Sequence, residues 1–248
     1  MATKRGEDLE SDAITRVRAA LGRPLNASLR AFNLISEVVQ LGPFGRKLSN
    51  ATKVRLLLLQ RVATDLRCCT ILAERGYGIQ AAGGAASVFE GWVTLAAIRD
   101  EKTAIEWASH QREDVSFGQI KKLTKAAVKN SVREAKDVEK LATQHYDHYR
   151  QLCMPKHLNP IVERNRGFIR TGNQIEFVHG PDLSEQGLWH VLYAIHSSAK
   201  FAIMALSTFV SAEAPPFTDE MMSETSSITS ELDATGPDRN GVMSASSG

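Results

Sequence analysis

Along most of the chain, apolar residues recur three and four positions apart, the spacing of one face of a helix. "SDAITRVRAALG" (11–22) opens on Ser11, an N-cap residue type, and stops at Gly22. "NASLRAFNLISEVVQLGP" (26–43) keeps the same spacing and runs into Gly42-Pro43. "SNATKVRLLLLQRVATDLRCCTILAERGYG" (49–78) is long and strongly apolar, with Gly76 and Gly78 as stop signals. In "IQAAGGAASVFEGWVTLAAIRD" (79–100), Ala82, Gly83 and Ala86 leave room for a neighbouring backbone. Gly83 and Gly84 each cost about 1 kcal/mol against alanine in a helix, so close packing is the expected compensation. "EKTAIEWASHQ" (101–111) predicts a shorter helix, followed by a polar turn at 112–118.

Residues 119–153 read as one further helix. On a helical wheel Ile120, Ala127, Ala135, Val138, Ala142 and Tyr149 share a side. Lys122, Lys125, Lys129, Arg133, Lys136 and Lys140 form a stripe nearly opposite. Asn130-Ser131 is a possible interruption with both halves in phase, and Met154-Pro155 should end the helix. After Pro160, "GFIRTGNQIEFVHGP" alternates apolar and polar residues around Thr-Gly-Asn, which predicts a small β-hairpin. A long apolar helix follows at 184–211, and from Pro215 the chain is Ser, Thr and acidic residues with little to bury. The expected architecture is all-α: a single domain of six or seven helices at 11–211 with a hairpin insertion near 166–180. A flexible N-terminus (1–10) and a disordered acidic tail (212–248) flank it.

Composition adjusts this only slightly. With 43% apolar and 23% charged residues in 248, the chain has the balance of a soluble globular protein. Its first residues, MATKRGEDLE, lack the apolar core of a secretory signal. The stretch 188–210 is long enough to span a bilayer, but His190, His196, Ser197, Ser198 and Lys200 interrupt it, favouring a buried core helix and no membrane partner. Three cysteines, with Cys68 and Cys69 adjacent, suggest core thiols in a reducing cytoplasm rather than a disulfide framework. Charge is more informative. From Ala212 onward seven acidic residues and one arginine give −6, so the body carries +8 of a net +2. A basic body favours polyanions such as RNA, and an acidic tail can compete with them for the same surface.

The densest chemistry lies in "HYDHYRQLCMPKHLNP" (145–160). Arg150 and His157 are seven positions apart, so on a continuous helix they lie within about 20° of one face. Tyr146 and Cys153 share that stripe. Such a set can place a guanidinium on a phosphate while an imidazole moves a proton. A metal site competes for His145, Asp147, His148, Cys153 and His157, all competent ligand types. The three histidines spread over about 180° of the wheel, however, so no metal and no cofactor is predicted. Glu90 sits on the small face of an apolar helix, where a carboxylate needs a partner. Arg150 or His157 would serve, either catalytically or as a structural tie between two helices. The basic stripe can track a phosphate backbone or simply be a solvated helix face.

The Arg150–His157 spacing matches the Arg-x(4–6)-His pattern of HEPN-type ribonucleases. Tyr149, Leu152, Cys153 and His157 fit a "Y-x-x-L-(S/C)-x-x-x-H" segment. Glu90 ends "ASVFE", where an "R-S-L-(F/Y)-E" segment would have arginine in place of Ala86. On these motifs, residues 50–160 resemble a bacterial family of all-helical HEPN-like proteins. That resemblance implies metal-independent RNA cleavage: His157 moves the proton, Arg150 stabilises the phosphorane, Glu90 orients His157, and Tyr149 and Cys153 support them. It also implies a possible homodimer. The alternative is a non-enzymatic helical scaffold that binds a partner, with Glu90, Arg150 and His157 locking the core.

Overall fold

The computed structural model describes residues 6–41, 47–109, 117–131, 135–154, 168–171, 174–177, 180–213 and 218–237. Among them are eight helices: α1 (Gly6–Leu41), α2 (Asn50–Glu74), α3 (Gly78–Ala97), α4 (Glu101–Ser109), α5 (Phe117–Ser131), α6 (Ala135–Cys153), α7 (Glu185–Glu213) and α8 (Asp219–Thr235). The fold is all-α. The expected division of the first helix survives as a kink: Leu21 leaves helical geometry (φ −127°, ψ 26°), three residues before the buried Pro24. Proline has no N–H to continue the ladder there.

Helix boundaries follow their local chemistry. Ser49 caps α2 by accepting from the Thr52 N–H at 3.1 Å. At the other end, the Tyr77 N–H donates to the Leu72 carbonyl and the Gly76 N–H to that of Ala73. Gly76 takes φ +82°, so this is a Schellman turn with glycine in the left-handed position. A Cβ at Gly76 would also lie 2.8 Å from Pro181 Cβ, while the Gly76 carbonyl accepts from the Asp182 N–H. The corner between α2 and α3 is thereby joined to the chain entering α7. Ser184 caps α7, its hydroxyl accepting from the Gly187 N–H.

α3 is the hub of the molecule, packing against α2, α5, α6 and α7. Small residues let its neighbours close in, as its sequence predicts. A Cβ at Gly84 would stand 2.7 Å from Cys69 Sγ, one at Gly91 2.6 Å from Val62 Cγ2, and one at Gly78 2.5 Å from the Val191 nitrogen. Of the adjacent cysteines only Cys69 is a core thiol, pushed up to about 12 by burial; Cys68 faces solvent on the next position of the wheel. Arg55, 7% exposed, donates to the Ile98 and Arg99 carbonyls and forms an ion pair with Glu213. One guanidinium thus ties the second turn of α2 to the ends of α3 and α7.

Four sequence expectations need correction or placement. Residues 119–153 are two helices: α5 and α6 pack against each other, with Lys125 paired to Glu139 and Lys121 over the Tyr146 ring. Those pairings are antiparallel, so the basic residues do not form one continuous stripe. The wheel missed this because a reversal leaves both halves amphipathic. Residues 6–10 are helical rather than flexible, held by Glu10, which accepts from the Tyr77 hydroxyl and pairs with Arg75. Residues 219–235 of the expected disordered tail form α8, because three apolar residues and several carboxylates find partners on α1 and α7; residues 238–248 lie outside the described residues. Finally, Phe168–Thr171 (β1) and Gln174–Phe177 (β2) pair antiparallel, Phe168 opposite Phe177 and Thr171 opposite Gln174; Gly172 and Asn173 are outside the described residues. No helix among the described residues is long and apolar enough to cross a membrane.

Candidate functional site

The sequence directs attention to where α3 and α6 meet. α6 buries Val138, Ala142, Tyr149, Leu152 and Cys153, and half-buries His145, Tyr146 and His148. That face rests on an aromatic cluster. Phe89 stacks on Tyr149 with centroids 4.9 Å apart, and meets Trp92 and Phe201 edge-on at 5.5 and 4.8 Å. Both orientations are the ones ring quadrupoles favour. Trp92 in turn stacks on Phe201 and receives the His145 ring edge-on at 5.5 Å.

Polar groups at this junction are paired one by one. The Tyr149 hydroxyl donates to Glu90 Oε1 at 2.9 Å. Burial, together with hydrogen bonds to Cys153 and Glu90, drives the Tyr149 hydroxyl far above the usual phenol range. It therefore stays protonated and remains a donor at any ordinary pH. His148 Nε2 and Ser197 Oγ share a hydrogen bond of 2.8 Å, Trp92 Nε1 donates to Thr208 Oγ1 at 3.3 Å, and the Tyr193 hydroxyl donates to Gln151 at 3.1 Å. His145 is held below the usual imidazole range, chiefly by burial and then by the nearby charge of Lys200, so the neutral ring is favoured. These bonds fasten α6 to α3 and α7.

The predicted residues separate into two sets. Glu90, Tyr149 and Cys153 come together. Arg150 does not join them: its side chain is 65% exposed and its ion-pair partner is Asp147, 3.8 Å away and one turn back. Adjacent helix positions point about 100° apart, so a chain that turns Tyr149 inward turns Arg150 outward. Glu90 accepts from Tyr149, and Arg150, one of the two partners the sequence offered for it, faces away. His157 and Arg133 lie outside the described residues, and Lys136 is placed on α6 by its backbone alone. Lys122, Lys129 and Lys140 are exposed, and Lys125 is exposed but paired with Glu139.

Among the described residues no group of three His, Cys, Asp or Glu side chains stands close enough to hold a metal ion. His145 faces Trp92, His148 bonds Ser197 and Asp147 lies beside Arg150, so the three ligand types on α6 diverge. Sequence reasoning took Ser197 only as a break in the apolar stretch and passed over Thr208; these are the hydroxyls bonded to His148 and Trp92. The available signal was a run of hydroxyl residues inside the otherwise apolar helix α7, where buried polar groups require partners. Comparison with protein-family models, with curated proteins and with solved structures gave no match in any of the three.

Proposed function

We propose that this chain is a HEPN-like helical protein that acts as a partner-binding scaffold rather than as a ribonuclease. The observation that carries this reading is the outward position of Arg150, 65% exposed, beside a Tyr149 that turns inward to bond Glu90. Proton transfer and phosphate stabilisation need a carboxylate, an imidazole and a guanidinium converging on one substrate. Here Arg150 points to solvent, away from Glu90, which accepts from the Tyr149 phenol. In that arrangement Glu90 is a tie between α3 and α6, and the exposed surfaces are left to do the work.

Incubating the full chain with mixed RNA, with and without EDTA, beside Arg150→Ala and Glu90→Gln, tests it. The scaffold reading expects no cleavage in any lane, unchanged stability in Arg150→Ala and a lower melting temperature in Glu90→Gln. EDTA-resistant cleavage by the parent chain that disappears in Arg150→Ala would replace the scaffold with the ribonuclease.

A further inference from the structure

The helix that the composition hid, α8, is attached by two kinds of contact. Met221, Ile228 and Leu232 are 5%, 0% and 2% exposed, and their spacings of seven and four put them on one face against α1 and α7. Around that apolar seam the charges are segregated. Arg30 of α1 donates to Glu224 through Nε and Nη2 at 2.7 and 2.8 Å, to Glu231 through Nη1 at 2.9 Å, and to Ser227 Oγ at 2.8 Å. Arg23 reaches Glu231 at 3.5 Å, and Lys200 of α7 reaches Asp233 at 3.2 Å. In these pairs the cations belong to the body and the carboxylates to α8.

This is the chemistry of an amphipathic helix laid into a groove, with apolar anchors down the centre and complementary charges on the rims. It makes no use of the covalent link between α7 and α8. We propose that the groove between α1 and α7 is a docking site for an acidic amphipathic helix of a partner protein, and that α8 is a resident occupant the partner displaces. The partner helix carries apolar residues at positions i, i+7 and i+11 and carboxylates at i+3, i+10 and i+12, the pattern α8 itself presents from Met221 to Asp233. An apolar floor suits a helix and gives a phosphate backbone nothing to bind, so a nucleic acid is the weaker fit. The inference rests on the partner-binding reading above and names its surface.

The test uses the full chain carrying Glu224→Lys and Glu231→Lys, which sets α8 against Arg30, and a fluorescent peptide of residues 214–237 with the natural sequence. Hydrogen exchange reports whether residues 219–235 have been released, and anisotropy reports peptide binding. We expect release, and peptide binding roughly tenfold tighter than to the unaltered chain. That binding should weaken as salt rises from about 50 to about 500 mM, and should vanish when Arg30→Glu is added. Released α8 with no peptide binding overturns the proposal. So does α8 that stays protected, since the carboxylates then do not hold it. If the double variant does not fold, isotope-labelled peptide added to the unaltered chain above the tether's effective concentration, on the order of several millimolar, answers the same question: exchange of the chain's own 219–235 amides must rise. Displacement by a single-stranded RNA but not by the peptide also overturns it. RNA cleavage dependent on Arg150 would instead remove the scaffold reading and leave the peptide result standing.

Discussion

Two regions of this protein hold helices in place by opposite means. At the α3–α6–α7 junction the contacts are rings, and the polar atoms described there are hydrogen-bonded between helices. At the α1–α8 seam three apolar residues do the burying, and the ion pairs lie at the edge, with Arg30 and Glu224 side chains 27% and 35% exposed. Ring packing is nearly indifferent to salt, whereas edge ion pairs are screened by it and contribute little each. One region is a permanent joint. The other is a fastening that conditions can loosen.

The largest test of that contrast is Trp92→Ala. Removing a ring that is 1% exposed should cost about 3–5 kcal/mol and lower the midpoint of the whole unfolding transition, read by denaturant titration. A transition that leaves α3, α6 and α7 intact while another element melts would dissolve the idea of a single joint. Tyr149→Phe should cost less, about 1–3 kcal/mol, because it keeps the stacked ring and removes the phenol's hydrogen bond to Glu90. Smaller again is Arg30→Ala, with an expected global change of about 1 kcal/mol or less. Its signature should be local: 219–235 amides exchange faster, and high salt reproduces the effect in the parent chain.

Acid should separate the two regions most gently. The fold holds His145 below its ordinary 6.5, chiefly by burial, so it favours the neutral ring. His196, beside the end of α8, is lowered by burial and by Lys200, against opposing contributions from Asp233 and the Leu232 carbonyl. Their contribution to stability is therefore complete above pH 6.5 and is lost as pH falls through the lowered folded values. Glu224 is held below its ordinary 4.5, first by the hydrogen bond from Arg30, so its contribution persists to below 4.5 and fades only as pH drops through its own folded value. Stability measured from pH 8 downward should fall in that order, histidines before carboxylate. Exchange at 219–235 that accelerates only near pH 4 or below would assign the second step to α8; the reverse order would contradict these assignments.

Much of the core was legible because its signals are repeated. Phe89, Trp92 and Phe201 sit in apolar runs at helical spacing, and Glu90 stood out as a carboxylate among small residues. What failed were features with a single signal or none. The reversal between α5 and α6 leaves the wheel in phase on both sides, and residues 131–134 contain neither glycine nor proline to mark it. α8 offered Met221, Ile228 and Leu232 in a polar sequence; the cations that complete its seam lie on α1 and near the middle of α7, invisible to any local window. At the candidate site Glu90, Tyr149 and Cys153 lie close together. The direction of Arg150 was not legible, because turning Tyr149 inward decides it, and only the packed helix shows which of the two faces the core.

The Arg55–Glu213 ion pair has a consequence beyond the joint it makes. It fixes the last residue of α7, from which five residue steps lead to Thr218 at the start of α8, at most about 18 Å of chain. A helix tethered that closely to an immobile anchor competes for its groove as though present at millimolar concentration. An untethered partner of equal intrinsic affinity would rarely win. Loosening the Arg55–Glu213 pair would therefore alter which helices can enter the groove while Arg23, Arg30 and Lys200 stay as they are.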